Sequence, residues 1–196
     1  GYITPQEFNL YADHAQMAIF EQYFYDLNQF RRQPGNTTKY ADMVDIIENK
    51  LDVFKTANES IQNGSNIGGV YRIINVTRGV GDKTKVAEEV KFEDYYKTRY
   101  APLTKATSNR PVYWTITNNI GFDPSDGDYY YSYIRRPVPP KWAYVVVNEK
   151  PLHDPSITGN QNFELHESEK NELVNKLLRL AGIAIKDYNI AQVASQ

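Results

Sequence analysis

A chain of 196 residues makes one domain, or one with an appendage, and is long enough to bury a sizeable core. Its 22 Lys and Arg stand against 24 Asp and Glu, and a net charge of -2 excludes a basic footprint over the whole protein. Cysteine is absent, which excludes disulfides, thiolate metal sites and cysteine nucleophiles.

Mean hydropathy is -0.61, and no apolar run approaches the about 18 residues that read as a membrane helix. No charged and apolar leader opens the chain, so the expectation is a protein without a signal peptide; Gly1 in place of Met reads as a trimmed start. The chain holds 16 Tyr, 8 Phe and 2 Trp. Tyrosine joins an apolar ring to a polar tip, so strand packing and subunit contact are the two readings of this excess.

Thr4, Pro5 and Glu7 form a capping box with proline at the first helical position. Phe8, Ala12, Ala15, Ile19, Tyr23, Leu27 and Phe30 then recur at helical spacing, which predicts a helix to about Arg32. Leu10, Met17, Phe20 and Phe24 make a second stripe, so this helix is expected to meet neighbours on two sides. Pro34-Gly35-Asn36 breaks it. Tyr40, Met43, Val44, Ile47, Leu51 and Phe54 predict a second helix over about 39–57, packed on the first as a hairpin. Asn58 to Gly69 reads as a polar loop.

The period then changes. Val70 to Val76 reads as a strand, Gly79 to Thr84 as a turn, and Val86 to Val90 as a segment pairing back. Phe92, Tyr95, Tyr96 and Arg99 share a face of a short helix over 92–100. Val112–Ile116 and Ile120–Asp123 read as strands about an Asn118-Asn119 turn. Pro124-Ser125-Asp126-Gly127 carries the Asp-Gly signature of a hairpin turn. Tyr129–Arg135 and Trp142–Val147 are strands, and Lys150–Asn162 a loop. His166 or Ser168 can cap a last helix whose stripe is Leu173, Val174, Leu177, Leu178 and Ala181, with Gly182 at its C-terminal stop.

The expected fold class is α+β: a helical hairpin (1–60) plus a C-terminal helix (163–185) forming a small bundle, with a β-rich inserted region (66–150) and a tail (186–196).

Motifs of catalysis are missing. His14, His153 and His166 are scattered, with no HExxH, so neither a zinc site nor a histidine base is expected. Gly79-Val80-Gly81-Asp82-Lys83-Thr84 echoes a phosphate loop but sets Asp82 where glycine must precede the lysine. The acid-rich 123–128 stretch lacks calcium-loop spacing. No GxSxG occurs. Four sequons, at Asn36, Asn58, Asn63 and Asn75, carry little weight without a secretion signal. The expectation is no enzyme, no cofactor and no metal.

Several stretches nonetheless resemble a known family. Arg110-Pro111-Val112-Tyr113, Tyr133-Ile134-Arg135-Arg136-Pro137, Pro140-Lys141-Trp142-Ala143-Tyr144 and Phe163-Glu164-Leu165-His166 are similar to segments of tailed-phage structural proteins. Glu172-Leu173-Val174, Leu180-Ala181-Gly182-Ile183 and the opening Gly1 to Ala12 continue the likeness. The family is the neck or tail ring proteins of crAss-like phages, which are similar to podoviral adaptors.

The resemblance implies a virion component assembled in the bacterial host cytoplasm. It would be a head-to-tail connector subunit in a ring of twelve copies, joined to the portal and other ring proteins, with DNA passing along the axis. No active-site residue carries over.

A closed ring uses heterologous contacts, and aromatic and arginine side chains are common anchors. Two candidate contact surfaces follow: Tyr129, Tyr131, Tyr133, Arg135 and Arg136 on one strand, and Phe20, Phe24 and Tyr25 on the first helix. The alternative is a tail-associated glycan-binding module, for which Trp114, Trp142 or the Tyr run would lie exposed in a concave patch.

Overall fold

The capping box forms as the sequence requires. Glu7 Oε2 accepts from the Thr4 backbone N–H and hydroxyl, both at 2.8 Å, and Thr4 Oγ1 accepts from Glu7 N at 3.3 Å. The helix it opens, α1, runs Pro5–Arg32 in the computed structural model. The structure describes residues 2–32, 38–79, 83–148, 150–154 and 159–184. Among these the chain is mixed α+β, with four α-helices and three sheets.

The chain divides into two compact units: residues 1–53 with 137–196, and residues 54–136. In the first, α1 packs against both α2 (Thr38–Asp52) and α4 (Lys170–Ala184). Ala12, Ala15, Ile19, Tyr23 and Leu27 of the expected stripe are buried, as is Phe20 of the second stripe. Leu10 is exposed, so the second stripe is covered only in part. The unit also holds a two-stranded antiparallel ribbon, β8 (Tyr144–Val147) with β9 (Lys150–His153). Sequence reading starts β8 at Trp142, but the Trp142 backbone N–H is taken by Asn9 Oδ1 at 2.8 Å.

The last helix corrects one expectation. His166 caps a 3-10 turn, Glu167–Glu169, its ring accepting from Ser168 N, and α4 follows without a break. Gly182 does not stop this helix; it lies inside it and is buried. The 186–196 tail falls outside the described residues.

The second unit is built on β7 (Tyr129–Arg135), flanked by β1 (Lys55–Ile61) and β2 (Val70–Arg78), with the short β3 (Lys85–Val86) beyond β2. All pairings in this sheet are antiparallel, with Arg78 opposite Tyr129 and Thr56 opposite Tyr133. A second sheet orders β4 (Glu88–Glu89), β5 (Val112–Ile116) and β6 (Asn119–Asp123), with β4 parallel to β5. The helix α3 (Phe92–Tyr100) lies between β4 and β5 in sequence, where the aromatic face placed it.

Ile61, Val76, Tyr113, Ile120, Phe122, Tyr129 and Tyr131 form one core from both sheets. Gly121 faces Trp114 across β5–β6. A Cβ there would come within 2.4 Å of the indole ring, so only glycine fits.

Three further expectations change here. The second helix ends at Asp52, and β1 occupies residues expected to be helix end and loop. Thr117 and Asn118, not Asn118 and Asn119, form the β5–β6 loop, with Thr117 at φ 54. The Asp126-Gly127 turn is real, but it leads from β6 in one sheet to β7 in the other rather than closing a hairpin.

Candidate contact surfaces

Strand β7 lies between two neighbours in its sheet, and its Tyr129 and Tyr131 pack into a core shared with residues of the second sheet. Tyr129, Tyr131 and Tyr133 share one face, two residues apart. Tyr129 stacks on Phe122 at 4.2 Å, and its hydroxyl donates to Pro124 O at 2.6 Å. Tyr131 stacks on Tyr133 at 4.6 Å, and the Tyr133 hydroxyl donates to Glu59 Oε2 at 2.7 Å. Burial pushes the Tyr129 phenol up to about 12 and raises Tyr131 and Tyr133 as well.

Tyr129 and Tyr131 are therefore core residues, with no surface to offer a neighbour. The sequence marked them by type; their burial follows from the packing of this face on residues of the second sheet, which composition does not give. Tyr133 and Arg135 are half-buried, and the Arg135 guanidinium lies over the Phe54 ring at 5.7 Å. Of the five, Arg136 alone is exposed.

On α1 the three candidates also separate. Phe20 is fully buried and meets half-buried Phe24 edge to face at 5.2 Å. Tyr25 is 58% exposed, and its hydroxyl oxygen accepts from Gln29 at 3.0 Å. The outward candidates are thus Tyr25 and Arg136.

The tryptophans are engaged in packing. Trp114 stacks on Tyr95 at 3.8 Å, and the Tyr95 hydroxyl donates to Asp123 at 3.1 Å. Trp142 meets Phe8 edge to face and stacks on His153.

Sequence reasoning missed the polar groups that organise both units. Gln16 is buried in α1. Its Nε2 donates to Val138 O at 2.8 Å, and its Oε1 accepts from Glu164 N at 2.9 Å. Arg78 donates twice to Asp126 O, at 3.0 and 2.8 Å, and holds the turn before β7. Glu169, 5% exposed, pairs with Lys50 at 2.5 Å. A glutamine on the apolar stripe of α1 was the one visible signal; the others involve partners far apart in sequence.

The ribbon β8–β9 is the outstanding apolar surface. Val145, Val146, Val147 and Leu152 are all exposed, Val146 at 64%. Consecutive strand residues point to opposite faces, so neither face of β8 is covered.

No protein-family model matches this chain, and no curated protein matches it. Among the described residues no group of three or more His, Asp or Glu is placed to hold a metal ion, and no helix is long and apolar enough to cross a membrane.

Proposed function

We propose that the chain is a structural ring subunit of a phage head-to-tail connector or tail, joining portal to tail around a DNA channel. The observation that carries this reading is the uncovered β8–β9 ribbon. A two-stranded ribbon is marginal alone in water, and consecutive exposed valines on it suit docking against another protein surface. The family resemblance supplies the kind of assembly. In the finer fold of this reading, α1, α2 and α4 form a small bundle into which the β-rich segment is inserted. The contacts of α1 with both other helices, and the position of residues 54–136 between the two pieces of the first unit, support it. A net charge of -2 suits a channel wall past which DNA must move.

Light scattering on the purified chain, with negative-stain images of any large species, tests the reading. Closed rings are expected, with the twelve-fold symmetry that the resemblance implies. A chain that stays monomeric both alone and with isolated portal overturns it. Val146→Glu is expected to keep the secondary structure and lose the rings, because a carboxylate would have to be desolvated in the contact.

A further inference from the structure

Two grooves of opposite charge lie on the two units. The first, about 240 Å³, is formed by α1, α2 and α4. Asp26, Glu169 and Glu172 line it against the single ammonium of Lys50, which is spent on Glu169. Asp26 accepts from Gln22 at 2.7 Å and Glu172 meets Lys176 at 3.4 Å. Both contacts are solvent-accessible, and such contacts contribute little.

Tyr23 also lines this groove. It is 4% exposed, and its hydroxyl has no hydrogen-bond partner. A buried hydroxyl left unsatisfied is unfavourable. Burial, with Glu169 and Glu172 nearby, raises the phenol and keeps it neutral. The rim carries exposed Met43 and Ile46. Carboxylates, a phenol oxygen and an apolar rim together suit a cation on an aliphatic stem. Arginine fits best, because its planar fork donates to several oxygens at once.

The second groove, about 600 Å³, lies in the β unit. Arg72 on β2 and Arg136 just after β7 line it, both exposed, and neither makes an ion pair among the described residues. Its carboxylate, Glu89, lies near the Tyr113 phenol, which burial and that negative charge push up to about 12. Exposed Ile74 lies beside them. This groove therefore presents guanidinium groups without an ion pair where the first presents an excess of carboxylates and the unpartnered Tyr23 hydroxyl.

We propose that the Arg72–Arg136 groove of one copy docks on the α1–α2–α4 groove of the next, with an arginine guanidinium donating to the orphaned Tyr23 oxygen. Choosing a second copy as the occupant rests on the ring-subunit reading. The contact is heterologous, so repetition closes a ring or extends a filament. It is charge-complementary and weakens as salt rises.

Two charge-reversed chains test it: Asp26→Arg with Glu172→Arg, and Arg72→Glu with Arg136→Glu. Each alone is expected to lose self-association in low salt. The equimolar mixture is expected to regain it, since each reversed face meets a complementary one. Circular dichroism checks that both fold. Tyr23→Phe is expected to weaken association about tenfold without lowering the melting temperature of the dissociated chain.

A cross-link removes dependence on those variants. The chain has no cysteine, so Glu172→Cys and Arg136→Cys copies can be mixed and joined with a short bis-maleimide. Heterodimer is expected to exceed either homodimer several-fold. Heterodimer no more abundant than random pairing gives, or a mixture of reversed chains that stays dissociated, overturns the contact. Unimpaired rings from both reversed chains overturn it and leave the ring reading standing. A wild-type chain that never closes a ring but still gives the selective heterodimer supports the contact and overturns the ring.

Discussion

Gln16 shows what one polar side chain contributes when both ends of its amide are used. It ties α1 to Val138 and to Glu164, more than 100 residues away in sequence. Gln16→Leu would take the partner from both the Val138 carbonyl and the Glu164 N–H, so a loss of about 1–3 kcal/mol is expected in denaturant unfolding. Gly121→Ala acts by volume instead. The new methyl group would come within 2.4 Å of the Trp114 ring and force it off Tyr95. A destabilisation of about 1–3 kcal/mol is expected, accompanied by a changed near-ultraviolet dichroism of the indole. Both residues stand in the sequence without any sign of their partners. Glutamine on a helical stripe and glycine in a strand are visible anomalies, but only the fold supplies the carbonyl and the indole.

Elements were legible where the signal is local. Thr4, Pro5 and Glu7 mark the start of α1, and its stripe is buried from Ala12 to Leu27. Thr4→Ala is expected to cost about 1 kcal/mol and to fray the first turn, read by amide exchange at Glu7 and Phe8. The aromatic face of α3 and the residue types of β2, β5 and β7 also placed those elements. The missed strands share one property: their stabilisation comes from a neighbour. Lys55-Thr56-Ala57-Asn58-Glu59-Ser60-Ile61 is mostly polar and exposed, and becomes β1 because it pairs along β7. Lys150-Pro151-Leu152-His153 contains a proline, tolerated in a two-stranded ribbon where its missing N–H faces outward. Gly182 misled for the opposite reason, since close packing can place glycine inside a helix as readily as at its end. The burial of Tyr129 and Tyr131 was illegible because the packing of one sheet on the other, not strand identity, decides it.

At the scale of the whole molecule, the tyrosines set the alkaline limit. Burial holds Tyr23, Tyr95, Tyr113, Tyr129, Tyr131 and Tyr133 above the ordinary phenol value of 10.0, with Tyr113 and Tyr129 at about 12. Between these values the unfolded chain releases protons that the folded chain retains. Stability is therefore full below pH 10 and falls as pH rises toward 12. Thermal unfolding followed from pH 8 upward should show a melting temperature that holds and then drops steeply above about 10. Phenolate absorbance should lag behind that of free tyrosine until unfolding releases it.

The division into two units also bears on how the chain is made. Phe54 O accepts from Arg135 N at 2.9 Å, so residues 54–136 leave and return at one point. At about 5–20 residues per second, a ribosome needs on the order of 10 s to pass from Val53 to α4. Throughout that interval the nascent α1 and α2 hold Tyr23 and Ile47 without the helix that completes their cover. The β segment, with its ends together and a core of its own, has everything it needs as soon as Arg136 emerges. Translation thus finishes the middle of this protein before its beginning.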